Sequence, residues 1–330
     1  MAEAGVLTAA RAGDEAAFSA LVERHRRELQ VHCYRMLGSL EDAEDLVQET
    51  FLRAWRRRET FRADSSFRAW LYGIATNACL DALARRPRVA SHAGGRPLGE
   101  VPWLQPYPDR LLESPAPSDE EPEAELVAKE TIELAFIATI QLLPPKQRAV
   151  LISRDVLGWS AAECAALLDT SVAAVNSALQ RARATLKRHL PQKRLDWSTA
   201  SEPSEEERRL LERYIEATED GDADTMVQLL REDAFCAMPP DPKWWVGNWE
   251  IVEAWVEGGF GDDAWGRLRC VATSANQQPA VACYVKRAGD KEYRPLAIDV
   301  LRIEDGVVAE IMAFTLDETL LTALGLPPTL

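Results

Sequence analysis

The sequence has no long apolar run and no dense cysteine pattern. No stretch approaches the ~18 consecutive apolar residues of a membrane-spanning helix. The N-terminus, MAEAGVLTAARAGDEAAF, has neither the basic start nor the apolar core of a secretory signal. The six cysteines form no C-x-x-C pair, which argues against a zinc site or a disulfide framework. We therefore expect a cytoplasmic protein that does not contact a membrane and needs no metal and no cofactor.

Positive charge is scarce overall, but it is not evenly scarce. The formal net charge is −15. A count by segment gives +2 for residues 1–98, −7 for 99–126, +5 for 127–195 and −15 for 196–330. An acidic segment thus separates two neutral to basic blocks, and a strongly acidic block follows them. Such an asymmetry indicates domains with different partners, and it allows the two early blocks to bind nucleic acid.

Proline-rich and polar stretches divide the chain. Eight prolines lie between residues 86 and 125, a density that prevents a packed helix and favours extended chain. A second polar stretch runs from Gln192 to Glu206. The predicted segments are a helical domain at 9–85, a linker at 86–126, a second helical domain at 127–190, a linker at 191–206 and a C-terminal domain at 207–330.

Apolar residues recur at helical spacing in the first domain and predict helices over 16–37, 41–57 and 66–86. The second of these helices carries acidic residues early and arginines late, which suits the helix dipole. Phe61 lies in a polar loop before the third helix. An aromatic side chain beside arginines is typical of a surface that stacks an unpaired base. The alternative is that Phe61 packs in the core of the domain. We predict that Trp70 is a core residue.

The second domain has the pattern of a helix-turn-helix. Ser160 and Glu163 form a capping box that opens a short helix. Asp169 suits a left-handed turn residue, and Ser171 suits the cap of a final basic helix that ends before Pro191. The second helix of such a motif enters the major groove, where Asn, Gln and Arg read base edges. A helical hairpin with a solvated basic face is the alternative.

These parts together resemble a bacterial sigma-70 family sigma factor of the extracytoplasmic-function group. EDAEDLVQETF at 41–51 resembles region 2.2, which in that family docks on the β′ clamp helices of RNA polymerase. FRADSSFRAWLYGIATN at 61–77 resembles regions 2.3 and 2.4, which hold the melted −10 element. The implied polymerase-binding residues are Asp42, Asp45, Leu46, Gln48, Glu49 and Phe51. The implied −10 residues are Phe61, Arg62, Ser65, Arg68, Tyr72 and Asn77, the last matching a position that helps to capture a flipped base.

Residues 142–190 resemble region 4 of the same family, whose helix-turn-helix reads the −35 element and touches the β flap. The implied −35 residues are Ser171, Val172, Asn176, Ser177, Gln180, Arg181 and Arg183.

The linker phrase VPWLQPYPD at 101–109 is similar to the linker of family members that carry a fused C-terminal SnoaL-like domain. In sigma factors this linker threads toward the active-site cleft of the polymerase. The implied linker residues are Trp103, Leu104, Pro106, Tyr107, Pro108 and Asp109. The alternative is a solvated spacer in which Trp103 packs on a neighbouring domain.

The C-terminal block has helical periodicity first and period-two alternation later, which predicts an α+β domain with helices on a curved sheet. MPPDPKWWVG at 238–247 resembles the SnoaL-like, nuclear-transport-factor-2-like cone with an interior pocket. Candidate pocket residues are Trp244, Trp245, Trp249 and Asp299. All four histidines lie outside 207–330, so Asp299 has no evident acid–base partner and we expect no enzyme.

The sequence therefore predicts a multidomain protein, with two all-α sigma domains and an α+β cone. We expect it to bind core RNA polymerase and promoter DNA. We further expect the C-terminal domain to regulate it in cis by packing on regions 2 and 4. Two alternatives stay open: a helix-turn-helix regulator with a ligand-sensing domain, and a SnoaL-like enzyme fused to a DNA-binding module.

Overall fold

The computed structural model describes residues 2–61, 66–86, 97–112, 132–190, 204–262 and 264–330. The chain divides into two compact units. The first unit comprises Met1–Ser91 and Ser114–Trp197, and the second comprises His92–Glu113 and Ser198–Leu330. Part of the predicted linker thus belongs to the C-terminal unit. Among the helices of the described ranges, none combines the length and the apolar character of a membrane span.

The first half of unit 1 is a helical bundle. Its helices are α1 (Ala2–Arg11), α2 (Glu15–Glu23), α3 (Arg26–Leu37), α4 (Leu40–Arg56) and α5 (Phe67–Leu83). The predicted helix over 16–37 is two helices, because the chain turns at Arg24 and His25. Gly38 ends α3 with a left-handed φ of 71°, and Ser39 then caps α4 by accepting a hydrogen bond from the Asp42 amide at 3.2 Å.

The second half of unit 1 contains the predicted helix-turn-helix. Its helices are α6 (Leu134–Gln141), α7 (Pro145–Leu151), α8 (Ala161–Leu167) and α9 (Val172–His189), and a π-helical turn, Ile152–Val156, extends α7. The capping box of Ser160 and Glu163 is present. Asp169 has a φ of 46°, and the Ser171 hydroxyl accepts a hydrogen bond from the Ala174 amide at 3.2 Å. These capping and turn predictions are confirmed.

A buried arginine joins the two halves of unit 1. Arg148 on α7 is 2% exposed, and its guanidinium donates to the main-chain oxygens of Met36, Gln141 and Leu143 and to the Gln141 side chain. Gln141 in turn donates from Nε2 to the Arg35 carbonyl at 3.2 Å. Burial lowers the pKa of Arg148 to about 9, so the side chain remains a cation at neutral pH.

Unit 2 is built on a six-stranded mixed sheet with the order β2-β1-β6-β5-β4-β3. The strands are β1 (Leu230–Ala237), β2 (Trp244–Val246), β3 (Arg267–Ala275), β4 (Gln278–Lys286), β5 (Arg294–Glu304) and β6 (Val307–Thr315). The helices are α10 (Glu205–Asp220), α11 (Ala223–Leu229), α12 (Asn248–Glu257) and α13 (Glu318–Leu324). Strands β1 and β6 pair in parallel, and the other pairs are antiparallel.

Both faces of this sheet are covered. One face packs on α10, α11 and α12 in a single apolar core that includes Tyr214, Cys283 and Leu301. On the other face, the Tyr284 hydroxyl donates to the Pro327 carbonyl at 2.8 Å, beyond the end of α13. Consecutive β4 residues are therefore buried on alternate sides, which explains the unbroken apolar run VACYV. The predicted α+β architecture is confirmed.

Candidate nucleic-acid interface and the linker

One face of α9 carries exposed polar and basic side chains. Val175, Leu179 and Ala182 bury the opposite face of the helix. The −35 residues predicted from the sequence are all exposed: Ser171, Val172, Asn176, Ser177, Gln180, Arg181 and Arg183. Arg183 is held by Asp155, which accepts two hydrogen bonds from its guanidinium at 2.6 and 2.8 Å. Asn176, Gln180 and Arg181 combine amide and guanidinium donors on one helix, as base-edge reading requires.

A second exposed surface runs along α4. Asp45 and Gln48 are exposed, and Leu52, one turn further, is 52% exposed. The other predicted residues of this helix, Asp42, Leu46, Glu49 and Phe51, are half-buried. Asp42 pairs with Arg86 and Glu49 pairs with Arg53. The Phe51 ring lies under the Arg26 guanidinium. Leu52 adds one apolar side chain to this polar face, and a single exposed leucine of this kind is common on protein surfaces.

The predicted −10 residues on α5 do not share one exposed surface. Asn77 is exposed, whereas Tyr72 is 2% exposed. The Tyr72 hydroxyl donates to Glu28 at 3.1 Å, and Arg68 donates to the same carboxylate oxygen at 2.6 Å. Burial by itself raises the pKa of Glu28, but hydrogen bonds from His25 and Arg68 outweigh it, and the net shift is downward. Tyr72 and Arg68 thus belong to a partly buried ionic network centred on Glu28.

Phe61 lies in an aromatic cluster. It is 3% exposed, and its ring lies 5.4 Å from the rings of Phe67 and Trp70. Trp70, which the sequence pattern assigns to the core, is only half-buried. Arg62 and Ser65 lie outside the described residues.

The linker residues are bound within unit 2. The Tyr107 amide donates to the Asn276 side-chain oxygen at 2.7 Å, and the Asn276 amide donates to the Tyr107 carbonyl at 2.8 Å. The Asp109 carboxylate accepts from the Gln277 amide at 2.8 Å. Asn276 and Gln277 form the turn between β3 and β4, and each has a φ of 56°. The turn of this hairpin therefore both accepts a hydrogen bond from the linker backbone and donates one to it.

Apolar burial and an end cap complete the linker contact. Val101, Leu104 and Tyr107 are each at most 2% exposed, and Pro106 and Pro108 are buried as well. Trp103 and Asp109 are half-buried. The Arg110 guanidinium donates to the carbonyls of Thr322 and Ala323, at the C-terminal end of α13, where a cation is favoured. A Cβ on Gly99 would lie 2.9 Å from the Trp244 ring, so the chain approaches that ring closely. Residues 99–112 therefore pack on the folded C-terminal unit, which agrees with the neighbouring-domain contact of the alternative but not with a solvated spacer.

The candidate pocket residues of the C-terminal domain do not converge. Asp299 faces α10, where its carboxylate accepts from the Tyr214 hydroxyl at 3.0 Å. Trp245 packs on the same core, but Trp244 contacts Phe235 on the opposite face and Trp249 is 65% exposed on α12. Burial raises the pKa of Asp299 to about 6, and the Tyr214 hydrogen bond moderates the shift. Within the described part of the chain, no cluster of three or more metal-binding side chains occurs.

Two features of these surfaces are missed by sequence reasoning. Leu52 follows Asp45 and Gln48 at the i, i+3, i+7 spacing of one helix face, and that spacing was the available signal. The partnership of Asn276 with Tyr107 spans 169 positions and has no local signal.

The chain matches two known families in the regions just described. Residues 21–89 match Sigma-70 region 2, and residues 133–186 match Sigma-70, region 4. The ECF RNA polymerase sigma factor SigG of Mycobacterium tuberculosis is 44% identical over 331 residues, which cover 97% of this chain and 86% of SigG. The ECF RNA polymerase sigma factor SigM of the same species is 33% identical over 188 residues, covering 57% of this chain and 84% of SigM.

A solved structure extends the fold likeness beyond the helical regions. The crystal structure of the M. tuberculosis extracytoplasmic function sigma factor SigJ matches 94% of this chain and all of that chain, with a TM-score of 0.61 and 22% identity. The chain therefore belongs to the extracytoplasmic-function RNA polymerase sigma factors, which direct core polymerase to promoters, and it carries an α+β domain after their two helical regions.

Proposed function

We propose that this sigma factor reads the −35 element with α9 and binds the β′ clamp helices of core polymerase with α4. The exposed row of Asn176, Ser177, Gln180 and Arg181 supports the first assignment. The exposed row of Asp45, Gln48 and Leu52 supports the second. Exposed Asn77 would meet the −10 element, whereas Tyr72 and Arg68 would first have to leave Glu28. Contact of region 4 with the β flap stays a prediction, and a cytoplasmic location follows from the location of the polymerase.

Run-off transcription with core RNA polymerase tests the α9 assignment. The double variant Gln180→Ala/Arg181→Ala should reduce promoter-specific transcripts at least tenfold, because each bidentate base contact contributes about 1–3 kcal/mol of discrimination. The matched control is Arg213→Ala, which removes an exposed arginine from α10 of the C-terminal unit. Equal loss in both variants, or no loss in the double variant, would contradict the assignment.

The C-terminal domain regulates the factor in cis through the linker, on this proposal. Residues 97–112 belong to unit 2, where Val101, Leu104 and Tyr107 are buried, and the same segment in sigma factors is expected in the polymerase cleft. The linker cannot lie on unit 2 and in the polymerase cleft at the same time. Its release from the C-terminal domain is therefore the step that links this domain to transcription. This domain has no catalytic step in the proposal, since the Asp299 carboxylate is half-buried and engaged by the Tyr214 hydroxyl. Direct packing on regions 2 and 4 stays a prediction.

A pair of turn variants tests the regulation. Asn276→Gly removes the side chain that accepts from Tyr107, whereas Gln277→Gly alters the same turn and keeps the backbone donor to Asp109. Run-off transcription should differ between the two full-length variants, and the direction gives the sign of regulation. If both transcribe like the parent protein although the linker is released, the linker does not regulate the factor.

A further inference from the structure

Two cysteines face each other across the edge of the sheet in unit 2. Cys270 on β3 is paired with Cys283 on β4 in the antiparallel register. Their sulfur atoms are 3.6 Å apart, and both thiols are free. No role in promoter recognition or in binding the linker uses either side chain.

The ladder places this pair at a non-hydrogen-bonded position. The Cys270 amide donates to the Glu219 side chain on α10 at 2.7 Å, and β3 has β4 as its one strand neighbour in the sheet. That amide consequently points away from β4. Counting from the two-residue turn gives the same result, because Pro279, which has no N–H, occupies a non-hydrogen-bonded position four residues before Cys283. At such positions the Cα atoms are about 4.5 Å apart, inside the range that a disulfide requires.

Access to the two thiols is unequal. Cys270 is half-buried on the edge strand, whereas Cys283 is 4% exposed in the apolar core. The hydrogen bond with Cys270, together with burial, raises the pKa of Cys283. A small oxidant therefore reacts first with Cys270, and Cys283 is the neighbouring thiol that can then form the disulfide.

We propose that Cys270 and Cys283 form a modification site at which a hydroperoxide oxidises the pair to a cross-strand disulfide. The Cys270 thiol gives up its proton to solvent, its sulfur attacks one peroxide oxygen and the O–O bond breaks, so that Cys270 becomes a sulfenic acid. The departing hydroxide or alkoxide takes a proton from solvent and leaves as water or an alcohol. The Cys283 sulfur then attacks the sulfenic sulfur, the S–S bond forms, and the sulfenic oxygen leaves as water with the Cys283 proton. Two electrons pass from the two thiols to the peroxide. The disulfide ties together the hairpin whose turn binds Tyr107.

The sequence makes the product easy to identify. Trypsin cuts after Arg269 and after Lys286, and residues 270–286 contain no other lysine or arginine before Lys286. Both cysteines therefore lie in one peptide. Reduced full-length protein is treated with hydrogen peroxide, denatured, alkylated and digested. The oxidised peptide should carry no alkyl group and weigh two hydrogen atoms less than the dithiol, and dithiothreitol before alkylation should restore both alkyl groups.

Matched variants separate this site from the other thiols. Cys270→Ser should leave Cys283 fully alkylated after peroxide, with the folded state checked by circular dichroism. Cys236→Ser removes a thiol of the same core and should leave the linked peptide unchanged. The proposal is wrong if Cys270 stops at the sulfinic acid, if either cysteine pairs with another one, or if the peptide stays reduced while added glutathione is oxidised.

Discussion

The turn residue Asn276 should control whether the linker stays bound. It is fully buried, it has a left-handed backbone that asparagine tolerates, and its side chain accepts the Tyr107 amide at 2.7 Å. Asn276→Gly keeps the backbone conformation and removes the acceptor. The buried Tyr107 N–H then lacks this partner, which costs about 1–3 kcal/mol. Asn276→Ala adds about 1–2 kcal/mol of left-handed strain.

Hydrogen exchange of the linker amides measures this loss. A linker that opens locally should exchange at Tyr107 about 5- to 150-fold faster in Asn276→Gly, since 1–3 kcal/mol is removed from the opening free energy. Asn276→Ala removes the same acceptor and should also exchange faster, because its strain lies in the turn whether or not the linker is bound. Gln277→Gly should leave the rate unchanged or lower it, because glycine relieves the φ of 56° there. If Tyr107 exchanges at the parent rate in both Asn276 variants, the turn does not hold the linker and the reasoning fails.

Three further predictions concern buried polar groups. His32 is 1% exposed and bonded to Thr76, and burial lowers its pKa to about 3. The contribution of neutral His32 to the free energy of unfolding is present above about pH 6.5 and is lost as the pH falls toward 3, by up to about 1.4 kcal/mol per pH unit. In His32→Gln, the free energy of unfolding measured with urea should therefore depend less on pH across that range. The pKa of Asp299 is raised to about 6, and this has the opposite effect on how stability depends on pH. The folded state binds the extra proton between about pH 4 and 6, so stability falls as the pH rises, and Asp299→Asn should stabilise the protein by up to about 3 kcal/mol at pH 8 but not at pH 4. Arg148→Ala leaves several buried carbonyls without their donor and should destabilise unit 1 by about 3 kcal/mol or more in the same assay, with exposed Arg188→Ala as the neutral control.

Local chemistry explains which elements the sequence could predict. The helix-turn-helix follows from the Ser160 capping box, the turn at Asp169 and the cap at Ser171, all of which act within four residues. The break between α2 and α3 was not predicted, because apolar spacing continues across it. Helical periodicity identifies the buried face of a helix, but it does not show where a polar turn divides one helix into two.

Long-range partners explain what the sequence could not predict. Tyr72 reads as an exposed polar residue of region 2.4, but Glu28 lies 44 positions earlier and draws its hydroxyl inward. The destination of the linker depends on Asn276, far along the chain. Composition indicates an extended segment at 86–126, yet it does not show that an acidic, proline-rich segment carries the apolar side chains of Val101, Leu104 and Tyr107 into a core.

The place of the linker in the chain has a consequence for biosynthesis. The ribosome makes residues 97–112 well before the turn that binds them, since Tyr107 and Asn276 are 169 positions apart. At 5–20 residues per second, this interval lasts roughly 10–30 s. The first helical region is already made when this interval begins and the second is made during it, whereas the hairpin of β3 and β4 does not yet exist. Every newly made molecule therefore passes through a period in which its linker is unbound, and a nascent chain paused before β3 would carry both helical regions together with an unbound linker.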